Sequence, residues 1–272
     1  MHSDDLSELA DNPNFISGIY NYCDRWCERC AFSSRCLLYA SEQADPELDD
    51  PEVRDLNNEK FWRKLESIFR DTQELITKWA DEAELDLNSI DAKAVNAAYE
   101  QETQNAEQHE LSVAARNYAD MVERWFVDED NARQKNRGDM NSHSVPTEED
   151  IDADAAFEVI RWYQFFIAAK IFRALLRHED ISDDFDFTDE VDHVIDDAQT
   201  DSNGSAKIAL ISIDRSSSAW SVIRRCRPER EDSILPLQLL LEKLRLGIEQ
   251  TFPHARDFIR PGFDEVTSAF AS

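Results

Sequence analysis

The chain has 272 residues, of which 58 are acidic and 29 basic, so its formal net charge is -29. It contains only 5 Gly, and a share this far below the usual value of about 7% leaves few positions for phosphate-binding loops and tight hairpins. The composition therefore disfavours Rossmann, P-loop, TIM-barrel and all-β proteins, while the length allows one large domain or two small ones.

The acidic excess runs through the whole chain, and arginine outnumbers lysine by 21 to 8. Such a surface stays hydrated in concentrated salt, where a short Debye length weakens the repulsion among like charges. We therefore predict a halophilic protein. The alternative interpretation is a nucleic-acid mimic or a protein that binds basic partners, and direct binding of nucleic acid is not expected.

The first residues, Met1 to Asn14, carry acids where a secretory signal would be positive, and they include no apolar stretch. The longest apolar stretch, Ile160 to Leu176, is interrupted by charged residues and is too short to cross a bilayer. The sequence thus predicts a cytoplasmic protein without membrane association.

Four of the 5 cysteines, Cys23, Cys27, Cys30 and Cys36, follow one another with the spacing C-x3-C-x2-C-x5-C. If this segment is helical, the first three share one face, and a short turn returns Cys36 to the same point. Four thiolates suit tetrahedral zinc or an iron-sulfur cluster. We predict a metal site of four cysteines, with structural zinc slightly favoured and a [4Fe-4S] cluster as the alternative.

Arg25, Arg29 and Arg35 lie between these cysteines. Four thiolates on a divalent ion leave a charge of about -2, which nearby guanidinium groups would offset. A disulfide pair is disfavoured by a reducing cytoplasm, and a set of core cysteines without metal is the remaining alternative. The fifth cysteine, Cys226, stands among arginines and is either reactive, if exposed, or packed at a helix end.

Apolar periodicity predicts about five main helices, and the third of them, apolar around its whole circumference, should be central. The predicted fold is an all-α helical bundle that forms a single domain, in which residues 1–56 form a Cys-rich segment packed on a bundle of residues 57–272, with a loop near 128–150. Aromatic residues at 185–187 and 258–263 are expected to cover the ends of the bundle. The predicted helices cover approximately residues 57–85, 91–127, 151–177, 204–225 and 233–252.

Several charged residues fall in apolar surroundings, where they must be paired or face a polar cavity. We take Glu102, His109, Glu158, Lys170, Arg173 and Arg215 as candidate ligand-binding residues. The alternative is a set of ordinary salt bridges. A di-metal carboxylate site is poorly supported, because the one Glu-x-x-His motif, Glu190 to His193, lies outside the predicted helices.

Two functions remain open. The first is a metal-binding protein whose cysteine site is structural and whose bundle binds an unknown protein or a small anion through Lys170, Arg173 and Arg215. The second is an iron-sulfur redox protein or enzyme with a polar cavity around Glu102, His109 and Glu158. A scaffold without any bound ion is a third, simpler alternative.

Overall fold

The computed structural model describes residues 12–139, 147–176 and 198–264. Within these ranges the chain is helical and has no β-strand, which confirms the all-α prediction. Seven α-helices account for most of the described residues, and one-turn 3-10 helices join several of them. The α-helices are α1 (Leu37–Gln43), α2 (Glu59–Glu82), α3 (Ala92–Gln108), α4 (Glu110–Asp139), α5 (Glu148–Leu176), α6 (Asp201–Cys226) and α7 (Glu231–Thr251).

The chain divides into two compact units. The first contains residues 1–98 and 260–272, and the second contains residues 99–259. The division falls within α3, so the Cys-rich segment and α2 belong to the same unit. It does not coincide with the boundary predicted at residue 56.

Helix α2 begins where the sequence predicts it. The side-chain oxygen of Asn58 accepts the backbone N–H of Lys60 at 3.0 Å, which makes Asn58 the N-cap. Lys64 holds the helix to the preceding 3-10 turn through ion pairs with Asp45 at 2.6 Å and Glu47 at 2.8 Å. These contacts fix one side of α2, but much of its apolar stripe stays exposed.

The second predicted helix is in fact two helices, α3 and α4, interrupted at His109. His109 Nδ1 accepts the backbone N–H of Leu111 at 3.2 Å, so the imidazole satisfies a free donor in the first turn of α4. The apolar pattern continues across this break, and for that reason periodicity alone predicts a single helix.

Helix α4 also extends well beyond the predicted end at Val127, to Asp139. The loop predicted near 128–150 is therefore wrong for residues 128–139. Ion pairs support the first turns of this polar extension: Glu129, which is only 6% exposed, lies 3.5 Å from Arg230, and Asp130 lies 3.6 Å from Arg161. Residues 140–146 of the predicted loop, together with Phe185 to Phe187 and the Glu190–His193 motif, lie outside the described residues.

Four helices form a bundle in the second unit. Helix α4 packs on α5 and α7, and α6 packs on the same two helices, so that each of the four has two neighbours. The most extensive contact is between α5 and α6. The core contains large side chains that are completely enclosed, among them Tyr118, Tyr163, Ile167 and Trp220.

The most enclosed helix is α6 rather than α5, the third predicted helix. In α6, 15 of 26 residues are buried, whereas α5 leaves Phe165 61% exposed. Small residues explain the difference, because the interaxial distance between packed helices depends on the side chains at their contact. On α6 these small buried residues include Gly204, Ser205, Ala206, Ala209, Ser212 and Ser216.

The last helix, α7, tolerates a proline at its sixth residue. The predicted range of 233–252 would put Pro236 in the first turn, but the helix begins at Glu231, so Pro236 lies inside it. A proline there cannot donate to the carbonyl of Asp232. Beyond the helix, Phe258 is buried at 3% exposure.

Candidate metal centre

The Cys-rich segment is built from tight turns and not from an α-helix. Three 3-10 turns, Ile19–Asn21, Cys27–Arg29 and Ser33–Arg35, alternate with extended residues. Between the first two turns, Arg25 has a φ of 59°, in the left-handed region that non-glycine residues rarely adopt. The helical register considered for Cys23, Cys27 and Cys30 is therefore not present.

The turns nevertheless bring the four predicted cysteines to one cavity. Its volume is about 20 Å³, which suits one water-sized occupant. Cys23, Cys27, Cys30 and Cys36 all line it, and the other lining residues are Ile19, Tyr20, Asp24, Arg25, Trp26, Ser33, Tyr39 and Phe263. The cavity is thus surrounded by thiols and aromatic rings.

All four cysteines are free thiols. Burial raises the pKa of the Cys23 and Cys27 thiols above the ordinary range. The Cys23 thiol donates to the carbonyl of Tyr20 at 3.6 Å, whereas Cys30 Sγ accepts the backbone N–H of Phe32 at 3.4 Å.

The thiols do not yet converge on a common centre. In the part of the chain that the structure describes, no three His, Cys, Asp or Glu side chains form a group that could hold a metal ion. Cys36 is close enough to Cys23 and Cys27 for its charge to raise the pKa of both. The cavity therefore gathers the four residues, but their side chains are not arranged as a metal-binding group.

Of the three arginines in the segment, Arg25 lowers the pKa of both Cys23 and Cys27. It also pairs with Glu42 of α1 at 2.9 Å. Arg29 instead lies over the Trp26 ring at 4.0 Å, and Arg35 donates to the carbonyl of Asn14 at 3.2 Å. Arg25 is thus the arginine of this segment that also lines the cavity.

A segment from the other end of the chain closes the cavity. The Phe263 ring stands edge-on to Phe32, with ring centroids 5.0 Å apart. Next to it, Gly262 has a φ of +75°, and a Cβ built on it would come within 2.8 Å of Ile16 Cδ1. Sequence reasoning placed this aromatic segment over the bundle and missed its contact with the cysteines. The sequence feature that could have indicated this contact is the Pro261-Gly262 turn, in a chain with only 5 glycines.

The candidate ligand-binding residues of the second unit occupy several helices and engage different neighbours. Arg173 forms a two-pronged ion pair with Asp201, at 2.9 Å. Arg215 donates to the hydroxyl of Tyr163. Lys170 lies 5.3 Å from the centre of the Phe166 ring.

The other three candidate ligand-binding residues are not buried in the core. Glu102 is half-buried on α3, and Glu158 is exposed on α5. His109 caps α4, as described above. Cys226 is buried at 8% exposure, which agrees with the packed alternative. Its neighbours Arg225 and Arg227 pair with Asp152 and Asp150.

Comparison with known proteins gives no relative. No protein-family description matches the chain, no curated protein is similar to it in sequence, and no solved structure resembles its fold. None of the helices within the three described ranges is both long and apolar enough to cross a bilayer. Functional inference therefore depends on the geometry of this chain.

Proposed function

We propose that this chain is a metal-binding helical protein in which Cys23, Cys27, Cys30 and Cys36 hold one zinc ion. One observation carries the proposal: all four thiols line a single small cavity, although tight turns and a left-handed residue are needed to place them there. A tetrahedral site closed by four thiolates has no open position for a substrate, so the ion has a structural role.

Binding requires the four sulfurs to rearrange into a tetrahedral group. Zinc deprotonates its thiol ligands, and Cys23 then loses the proton that it donates to Tyr20. The positive ion also reverses the effect of burial, which raises the pKa of Cys23 and Cys27 in the thiol form.

The size of the cavity favours a single ion over a cluster. At about 20 Å³ it accommodates one water-sized occupant. A [4Fe-4S] cube contains eight atoms and would have to push apart the surrounding turns. An iron-sulfur redox protein therefore remains the alternative function, distinguished by its metal content and colour.

A metal ion bound at this site would stabilise the N-terminal turns of the first unit. These turns are stabilised mostly by short-range hydrogen bonds, and among residues 12–45 only Ile19 is buried. A bound metal contributes its binding free energy directly to such a segment. A binding role for the helical bundle is a further part of this proposal, but Arg173 already pairs with Asp201 and is a weaker anion ligand for that reason.

The test is elemental analysis and visible absorption of the full-length protein, purified without oxygen in high salt. Cys27→Ser is compared with Cys226→Ser, because Cys226 lies outside the cavity and supplies a matched thiol-to-hydroxyl control. We expect about one zinc per chain in the wild type and in Cys226→Ser, with the metal lost from Cys27→Ser.

Iron and sulfide near four per chain, with visible absorption that bleaches on reduction, would establish the alternative function. A wild-type protein without metal, or a Cys27→Ser variant that retains all of it, would overturn both. Hydrogen exchange of residues 16–40 before and after chelation then measures how much the ion stabilises the turns.

A further inference from the structure

Two of the four clustered cysteines belong to one hydrogen-bonded turn. Cys27 opens the 3-10 turn Cys27–Arg29, and the backbone N–H of Cys30 donates to the carbonyl of Cys27 at 3.2 Å. The other two 3-10 turns among residues 19–36 each contain or precede at most one cysteine. Cys27 and Cys30 are therefore related by local geometry as no other two of the four cysteines are.

This turn holds the two side chains one above the other. A 3-10 helix has about three residues per turn and rises about 2.0 Å per residue, so residues three apart are eclipsed and lie about 6 Å from each other. Cys30 has a φ of -85°, close to the values of a 3-10 helix, so its Cβ projects much as it would inside the turn. Disulfides join cysteines whose Cα atoms lie about 4.4–6.8 Å apart. The backbone thus provides the separation that a disulfide needs.

The turn is also accessible from solvent. Its residues Glu28 and Arg29 are exposed, and Cys27 and Cys30, both free thiols, are half-buried. A small oxidant such as hydrogen peroxide can therefore reach the two sulfurs. The fifth cysteine, Cys226, is only 8% exposed and is shielded in the second unit.

We propose that Cys27 and Cys30 are a peroxide-sensitive pair, which a hydroperoxide oxidises to a disulfide and which thereby opens the zinc site. This inference rests on the proposed function, because it gives two of the zinc ligands a second role. Four thiolates complete the tetrahedral coordination, and the disulfide removes two of them, so Cys23 and Cys36 alone no longer close the site. The N-terminal turns then lose the free energy that the ion contributes.

The oxidation is a two-electron step. A zinc-bound cysteine sulfur is a thiolate, which is the nucleophilic form. The first sulfur attacks one oxygen of hydrogen peroxide, the O–O bond breaks, and the leaving hydroxide takes a proton, so that a sulfenic acid is formed. The second sulfur attacks the sulfenic sulfur and expels hydroxide, which takes another proton. The two sulfurs are thus oxidised to a disulfide, and the peroxide is reduced to two molecules of water.

A disulfide in so short a loop is suited to reversal. It constrains only residues 27–30 of the unfolded chain, so it adds little of the stabilisation that a disulfide closing a long loop provides. A dithiol reductant attacks one of its sulfurs and restores both thiols by exchange. In compartments that such reductants keep reduced, disulfides are usually transient and sense redox conditions. Peroxide should therefore loosen the N-terminal turns only while it is present.

The test is peroxide oxidation of the full-length, zinc-loaded protein, prepared without oxygen. Zinc release is followed with a chromogenic chelator, and the free thiols are counted. We expect the thiol count to fall by two from 5 per chain, with one zinc released for each disulfide formed. Dithiothreitol and added zinc should restore the starting state.

The linkage is identified by mass spectrometry of non-reduced peptides. Trypsin cleaves after Arg25, Arg29 and Arg35, which places each of the four cysteines on a different peptide. A disulfide between Cys27 and Cys30 therefore links the peptides 26–29 and 30–35. The peptide of Cys226 should remain unlinked.

Two double variants separate the pair from the metal site. Cys23→Ser with Cys36→Ser keeps Cys27 and Cys30, and Cys27→Ser with Cys30→Ser is the matched control, so that neither retains four zinc ligands. One equivalent of peroxide should oxidise most of the first variant to an internal disulfide, and far less of the second, whose remaining cysteines do not share a turn. Circular dichroism confirms that both keep the helix content of the wild type.

The outcomes distinguish this inference from the proposed function. A wild type that binds no zinc but links Cys27 to Cys30 overturns the zinc site and supports the oxidisable pair. A zinc-loaded wild type in which peroxide links a different pair, or leaves all four thiols free, overturns the pair and leaves the zinc site intact. Equal disulfide formation in the two double variants overturns the pair as well.

Discussion

Trp220 donates its indole N–H to the hydroxyl of Tyr118 at 3.0 Å, and both side chains are completely enclosed in the four-helix bundle. Helices α4 and α6, which carry these residues, do not rank among the most extensive helix contacts. The hydrogen bond therefore links two helices whose other contacts go mainly through α5 and α7. It also allows two polar atoms to lie in a core without access to water.

Replacing Tyr118 with Phe should destabilise the bundle. The indole N–H of Trp220 would lose its acceptor inside the core, and an unsatisfied buried donor costs about 1–3 kcal/mol. The measurement is the free energy of unfolding by urea denaturation. Tyr99→Phe serves as control, because Tyr99 is 57% exposed and its loss of a hydroxyl should change stability by less than about 0.5 kcal/mol. Equal effects of the two substitutions would contradict the role of this hydrogen bond.

Gly262 and Gly18 offer a matched pair in the first unit. Both have a positive φ, of +75° and +69°, so alanine brings a backbone cost of about 1–2 kcal/mol at either position. The two positions differ in the room available to an added Cβ. A Cβ at position 262 would lie 2.8 Å from Ile16 Cδ1, whereas a Cβ at position 18 would lie 3.7 Å from its nearest neighbour.

We therefore expect Gly262→Ala to reduce the free energy of unfolding more than Gly18→Ala does, by about a further 1–3 kcal/mol for the forced displacement of Ile16 and its neighbours. Denaturation curves of the two variants, monitored by far-ultraviolet circular dichroism, measure the difference. Equal losses would show that the Phe263 segment does not press on the cysteine turns.

The electrostatic role of Arg25 can be measured on the metal-free protein. Arg25 lowers the pKa of Cys27 against the larger opposing effect of burial. Arg25→Gln should therefore raise that pKa further, so that less thiolate is present at a given pH and alkylation shifts to higher pH. The pH dependence of the rate of thiol alkylation, followed by mass spectrometry at Cys27, gives the shift.

Arg29→Gln is the control for this experiment, since Arg29 is engaged with the Trp26 ring. Its alkylation profile should match that of the wild type. A shift of the same size in both variants would mean that overall charge, and not the position of Arg25, governs the thiols.

Substitutions of His109 distinguish a capping role of its imidazole from a ligand-binding role. His109→Ala should cost about 1 kcal/mol of stability, because the Leu111 N–H loses its acceptor at the start of α4. Asparagine is a good N-cap residue, so His109→Asn should restore most of the loss. Urea denaturation of the two variants provides the comparison, and equal destabilisation would argue against capping.

The acidic surface predicts a dependence on salt. Raising KCl from 0.1 M to 1 M shortens the Debye length from about 10 Å to about 3 Å and weakens the repulsion within a chain of net charge -29. The melting temperature should therefore rise with KCl. Sucrose of equal osmolality is the control for general exclusion effects, and a melting temperature that responds equally to both would remove the support for halophilic adaptation.

Local patterns predicted the helices that depend on local chemistry. The apolar period placed the start of α2 correctly, and Asn58 caps the helix there. The same method failed at His109, because an apolar stripe can continue in phase across a capped break. It failed again after Val127, where Glu129 is buried by an ion pair with Arg230, more than one hundred residues away. Periodicity carries no information about such distant partners.

For the cysteine site too, local spacing predicted one part of the arrangement and distant contacts decided the other. Four closely spaced thiols indicated a common site, but their register could not be obtained from spacing, since Arg25 turns the backbone out of any helix. The closing residue, Phe263, lies more than two hundred positions away from the cysteines. No pattern within the Cys-rich segment points to it.

The sequence by itself determined that this protein is helical, strongly acidic and equipped with four clustered thiols, because composition and short-range spacing are enough to specify those properties. Only the tertiary structure decided which helix is most enclosed, which cation reaches the thiols and which apolar face stays exposed. These depend on contacts between residues far apart in the chain, and the free energy of such contacts exists only once the helices have packed.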